Sequence, residues 1–158
     1  MKVILPGSYD PITLGHLEII RMAAAEYSEA YVVIFVNPEK KYLFSSEERL
    51  EMLRLATESI PNVKVDFYSG RVVDYMKEKG LDKIVKGCRN EKDLAYEKVQ
   101  AEYNFLHGGY LTELYESSEE FSGISSTLAR ERIKSGEGLE KILPSSVIKY
   151  LSEKKYIK

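Results

Sequence analysis

The sequence is poor in the residues that build redox and metal centres. Cys88 is the single cysteine among 158 residues, which excludes an internal disulfide and suits a reducing compartment. His16 and His107 are the two histidines, so a zinc site would have to lean on carboxylates, and no protein-held metal is expected. Neither sign of charge prevails: 23 basic side chains stand against 25 acidic ones, a net charge of −2 at pH 7. That balance gives no global field to draw in nucleic acid, and no acidic tail is present. No apolar run reaches membrane-spanning length, and because the sequence enters a strand directly no signal peptide is expected. Neither nucleic acid nor membrane is expected as a partner, and the expected location is cytoplasmic. Two phosphate-binding loops are missing as well. Without G-x-x-x-x-G-K-[ST] the chain is not a P-loop ATPase, and without G-x-G-x-x-G a dinucleotide site is disfavoured.

What is present is a regular alternation. The composition, 44% hydrophobic and 30% charged, is that of a globular protein, and the length suits one domain over residues 1–158. Short, β-branched apolar runs predict strands near Lys2–Leu5, Ala30–Val36, Val63–Phe67, Lys83–Lys86 and Tyr110–Tyr115. Between them, helical spacing predicts Gly15–Tyr27, Ser46–Ser59, Val72–Lys79 and Asn90–His107, followed by Ser125–Lys134 and Ser145–Glu153. Strands apolar on both faces and alternating with helices indicate an α/β fold. The expected architecture is a Rossmann-like, doubly wound, parallel five-stranded sheet with helices on both faces. On such sheets ligands bind beyond the carboxyl ends of the strands, at the point where strand order reverses.

That rule directs attention to the loops after Leu5, Val36, Phe67, Lys86 and Tyr115, four of which carry candidate groups. The first strand ends in Pro6-Gly7-Ser8-Tyr9-Asp10-Pro11, and a helix starts at Thr13-Leu14-Gly15-His16. Unpaired N–H groups and the positive end of the helix dipole make such a start an anion site. Gly15 lets a phosphate approach the backbone, and His16 adds a side-chain donor three residues from Thr13 on the same face. After the second strand comes Asn37-Pro38-Glu39-Lys40-Lys41, with Ser45 or Ser46 capping the next helix and Glu48 completing a capping box. Lys40 is read as a mobile charge that can follow a phosphoryl group, and Lys41 as surface. After the fourth strand, Gly87 permits close approach and Arg89 can fork onto phosphate oxygens. Near the end, Ser122-Gly123-Ile124-Ser125-Ser126-Thr127 supplies more hydroxyls than one helix cap needs, ahead of a helix containing Arg130, which suggests a second anion site. No covalent nucleophile stands out: Cys88 has no second histidine beside it in a functional loop, and His107 belongs to a helix end. The groups point to direct phosphoryl or nucleotidyl transfer.

These residues also carry a resemblance. Thr13-Leu14-Gly15-His16 matches the [HT]-x-G-H signature of the nucleotidyltransferase superfamily, and Ile124-Ser125-Ser126-Thr127 matches its second signature. Over essentially its full length the chain resembles the bacterial phosphopantetheine adenylyltransferases. The matching segments are Pro6 to His16, Lys40-Lys41 with Phe44 and Glu47-Glu48-Arg49, and Asp93 to Glu97. The resemblance implies that ATP and 4′-phosphopantetheine react to dephospho-coenzyme A and pyrophosphate with Mg²⁺ assisting. It implies His16, Lys40 and Arg89 as catalytic groups. It assigns ATP to Ser8, Tyr9, His16, Gly87, Cys88, Arg89, Glu97 and the run Phe121, Ser122, Gly123, Ile124, Ser125, Ser126 and Thr127, with Glu97 on the ribose. It assigns the acceptor to Ser8, Lys40, Val72, Lys86 and Asn104. It further implies a homohexamer and feedback binding of coenzyme A. Lys86 stands where the family has an arginine, so charge is kept and the bidentate fork is lost. Cys88, Arg71, Gln100 and Glu102 also depart from the usual residue types. The alternatives are a nucleotidyltransferase acting on another phosphate acceptor and a non-catalytic nucleotide-binding scaffold.

Overall fold

The computed structural model describes residues 1–158. Five strands are present, β1 (Lys2–Gly7), β2 (Glu29–Phe35), β3 (Val63–Tyr68), β4 (Lys83–Cys88) and β5 (Thr112–Glu116). The helices are α1 (Leu14–Glu26), α2 (Ser46–Thr57), α3 (Val72–Lys79), α4 (Glu91–Gly108), α5 (Ser126–Ser135) and α6 (Ser145–Glu153). All four strand pairings are parallel, in the order β3-β2-β1-β4-β5. This is the expected α/β sheet. β1 and β4 both run further than expected, taking in Pro6-Gly7 and Gly87-Cys88. A 3₁₀ turn at Leu139–Lys141 is an addition to the expected elements.

Strand periodicity divides the core in two, because successive side chains point to opposite faces. Val3, Leu5, Val32, Ile34 and Val85 join a cluster of 23 buried residues that also takes Ile19 and Ile20 of α1, Met52 and Leu53 of α2, Ala129 of α5 and Val147 of α6. Ile4, Val33 and Ile84 face the other way, onto Tyr75 and Met76 of α3 and Leu81. Helices thus cover both faces, unequally. No helix is long and apolar enough to cross a membrane.

Local chemistry sets the helix starts that matter for the site. Thr13 caps α1 and Ser45 caps α2, each in a reciprocal capping box closed by His16 and Glu48 respectively. Ser125 caps α5 by accepting the Leu128 N–H at 3.0 Å. The first N–H of α1, that of Leu14, donates to the Ile142 carbonyl at 2.8 Å, so the segment after the 3₁₀ turn buttresses the same helix start.

Candidate active site

Strand order reverses between β1 and β4, and there the sheet opens. The two strands pair through Val3 with Lys83 and Ile4 with Ile84, whereas β1 stays paired with β2 as far as Gly7. Lys86 spans the parted ends by donating from Nζ to the Pro6 carbonyl at 3.1 Å. Two adjoining cavities, of about 400 and 360 Å³, open at this rim. Ser8, Lys40, Lys86 and Glu97 line both. The first cavity also takes in His16, Gly87, Arg89 and the helix start at Ile124 to Thr127. The second takes in Val72 and Asn104.

Most of the sequence-derived site therefore converges. All five residues assigned to the acceptor, Ser8, Lys40, Val72, Lys86 and Asn104, line the second cavity. Four of those assigned to ATP do not line the first: Cys88, Phe121, Ser122 and Gly123. Cys88 is a buried free thiol, and burial, helped by the charges of Glu116, Asp93 and Glu97, pushes its pKa up. Phe121 packs against the main core, and the Ser122 hydroxyl donates to the Glu119 carbonyl at 3.1 Å. Gly123 is exposed. Gly87 lines the cavity, but its missing Cβ serves packing: that atom would come within 2.7 Å of Ile19 Cγ1. Tyr9 lines the cavity too, yet its hydroxyl is spent on the Leu5 carbonyl at 2.9 Å.

His16 is the best-defined group. The Thr13 N–H donates to its Nδ1 at 3.0 Å, while the His16 N–H donates to Thr13 Oγ1 at 3.3 Å. An Nδ1 that accepts a backbone N–H is unprotonated, so the neutral ring carries its proton on Nε2. The Tyr9 ring stands edge-on against the imidazole with centroids 5.0 Å apart. Burial first, then the charges of Lys86 and Arg89, lowers the His16 pKa from 6.5 to about 4. A neutral imidazole with a fixed N–H donor results.

The cationic groups are held to different degrees. Lys40 is exposed and donates to Ser8 Oγ at 3.4 Å. Lys86 lies 3.5 Å from Glu97; burial raises the Glu97 pKa, against the lowering effect of Lys86. Arg89 forks onto Asp93 at 2.8 and 3.2 Å and donates to the Ile124 carbonyl at 3.2 Å. It thereby ties the start of α4 to the start of α5. Arg130 is a site residue that the sequence reading left without a role. It lines the first cavity and donates to the Asp10 carbonyl at 2.9 Å and to Thr127 Oγ1 at 3.1 Å. Its signal was helical spacing, one turn beyond Thr127.

The cavity's carboxylates are engaged. Asp10 accepts the Leu43 and Phe44 N–H groups, Asp93 holds Arg89, and Glu97 faces Lys86. Each is thus paired within the protein, so a Mg²⁺ here would be held mainly by phosphate oxygens and water, as this ion commonly is.

Residues 4–132 match the family model described as cytidylyltransferase-like. A phosphopantetheine adenylyltransferase of Corynebacterium glutamicum is 40% identical over 155 residues, covering 98% of this chain and 97% of its own. The chain belongs to the phosphopantetheine adenylyltransferase family. Another phosphopantetheine adenylyltransferase, from Corynebacterium efficiens, is 39% identical over 155 residues, covering 98% of each chain. This member of the phosphopantetheine adenylyltransferase family gathers a histidine, two lysines and two helix starts around the reversal point of its sheet.

Proposed function

We propose that the chain transfers the adenylyl group of ATP to 4′-phosphopantetheine, giving 3′-dephospho-coenzyme A and pyrophosphate. The observation that carries this reading is the pair of cavities that meet at Ser8, Lys40, Lys86 and Glu97. One is suited to a nucleotide at two helix starts; the other is suited to an acceptor whose phosphate reaches the shared wall. An acceptor phosphate oxygen attacks the α-phosphorus in line. As the new P–O bond forms, the bond to the bridging oxygen breaks and pyrophosphate leaves with the electron pair. The acceptor is already an anion, so no strong base is required, and positioning with charge neutralisation carries the rate.

In this mechanism His16 donates from Nε2 to a non-bridging oxygen on the α-phosphorus as its charge builds. Lys40 and Lys86 offset the charge of the attacking phosphate. Arg89, Arg130 and the N–H groups of Ser126 and Thr127 receive the triphosphate, and Glu97 receives the ribose. Mg²⁺ enters with the nucleotide, as part of the MgATP substrate. Val72 and Asn104 contact the pantetheine arm, and coenzyme A, which shares that arm, binds the same wall as a feedback ligand. A cytoplasmic location and homohexameric assembly belong to the same proposal. Support for assembly comes from α4, where Tyr96, Val99, Tyr103 and Leu106 expose a stripe at spacings of three, four and three residues. Such a stripe of apolar groups is suited to burial against a second copy.

Pyrophosphate release with MgATP and 4′-phosphopantetheine, nicotinamide mononucleotide or glycerol 3-phosphate tests the reaction. Turnover is expected with the first alone. Robust turnover with either of the others would reassign the acceptor, and none with any of the three would make the chain a nucleotide-binding scaffold.

A further inference from the structure

Lys40 does not hold itself in place. A lysine ammonium sits on a flexible four-carbon stem, and this one is exposed, with a 3.4 Å contact to Ser8 Oγ. Its position is therefore set by the backbone between β2 and α2. That backbone is fastened at its far end by Asp10, whose two oxygens accept the Leu43 and Phe44 N–H groups at 2.8 and 3.0 Å. Nearer to Lys40 the fastening is Tyr42. Its hydroxyl accepts the Asn37 N–H at 3.4 Å, across the mouth of the loop. Its ring faces the Arg49 guanidinium, with Cζ 3.9 Å from the centroid, and the Lys40 ammonium lies 5.6 Å from the same ring.

Arg49 is the other half of this arrangement. It is only 2% exposed, and its charge is met by neutral groups. Nη1 donates to the Ser8 carbonyl at 2.9 Å and Nη2 to Ser46 Oγ at 3.2 Å, while Nε is buried without a partner. A guanidinium is planar and can stack and donate at once, which a lysine cannot do. One face of Arg49 thus meets the Lys40 loop while its edge grips the backbone of Ser8. Neither Tyr42 nor Arg49 lines the cavities.

We propose that the Tyr42 ring stacked on Arg49 is a positioning pair, which keeps Lys40 in register with Ser8 at the shared wall of the two cavities. The pair acts through Lys40 and touches no reactant. The proposal rests on the adenylyl-transfer reading, in which Lys40 meets the acceptor phosphate.

Steady-state kinetics with MgATP and 4′-phosphopantetheine, alongside melting temperatures, on Tyr42→Leu, Tyr42→Phe, Lys40→Ala and Lys40→Ala/Tyr42→Leu test it. Tyr42 is half-buried on a loop, so its variants are expected to fold. Loss of the ring should lower kcat about tenfold, with the KM for ATP within about twofold of the parent. Tyr42→Phe keeps the π-face and should restore most of kcat. In the Lys40→Ala background Tyr42→Leu should cost nothing further, because coupled residues are non-additive. Parental kcat in Tyr42→Leu beside an impaired Lys40→Ala would overturn the positioning pair while leaving the reaction intact. A full loss from Tyr42→Leu on top of Lys40→Ala would overturn it too. Parental kcat in Lys40→Ala alone would remove Lys40 from the mechanism, and the pair with it.

Discussion

At the scale of single residues, His16, the proposed catalytic group, shows how a helix cap can fix the tautomer of a side chain. Its Nδ1 closes the capping box on Thr13, and that structural bond fixes the tautomer that leaves Nε2–H as donor. The lowered pKa makes the donor permanent over the neutral range. Protonation would add a charge to a partly buried ring near Lys86 and Arg89. The unfolded chain takes up a proton near pH 6.5 and the folded one near 4. More protons are then bound in the unfolded state between those values, so His16 makes stability fall as pH drops through that window. Proton NMR of the ligand-free protein, with His107→Asn used to assign the two imidazole signals, should show His16 titrating near pH 4. A midpoint near 6.5 would mean that the ring is not held as described.

At the scale of elements, close contact between α1 and β4 builds the floor of the first cavity. Ile19 fills the space where a Gly87 side chain would be, 2.7 Å from an added Cβ. Gly87→Ala should destabilise by about 1–3 kcal/mol, as overpacking does. Denaturant melts should show that the loss is smaller when Ile19→Ala is already present. Equal losses in the two backgrounds would contradict the packing role. Gly87 also shows where sequence reading stops. A glycine after a strand looks the same whether a phosphate or an isoleucine occupies the space, because the occupant comes from another element. The capping box at Ser45 was legible because Glu48 lies three residues away, whereas Thr13 and His16 showed only a shared helix face and not the reciprocal bonds between them. The parallel sheet and its rim were legible too, since β-branched runs and helical spacing recur along the chain. The 3₁₀ turn at Leu139–Lys141 was not, because it is held by burial of Leu139, Ile142 and Leu143 in the distant core. Arg49 belongs to a motif visible in the sequence, but its burial against Tyr42 and Ser8 depends on how two loops meet. The stripe on α4 follows a helical spacing that is visible in the sequence, yet its exposure is a property of the folded chain.

At the scale of the whole molecule, the topology does the gathering. Reversal of strand order between β1 and β4 parts their carboxyl ends. The gap brings together loops from β1, β2 and β4 with the start of α5, contributed by segments more than a hundred residues apart. In the proposed reaction two anionic reactants meet there among positive groups and helix starts that are already oriented, which is the condition for electrostatic stabilisation without reorganisation. In the proposed mechanism a neutral His16 acts at the α-phosphorus during transfer and contributes little to nucleotide affinity. The direct measurement is kcat for His16→Ala together with its dissociation constant for MgATP. We expect kcat to fall by about two orders of magnitude or more, as for loss of an oxyanion donor, with the dissociation constant nearly unchanged. Parental kcat, or a loss confined to nucleotide affinity, would contradict the account.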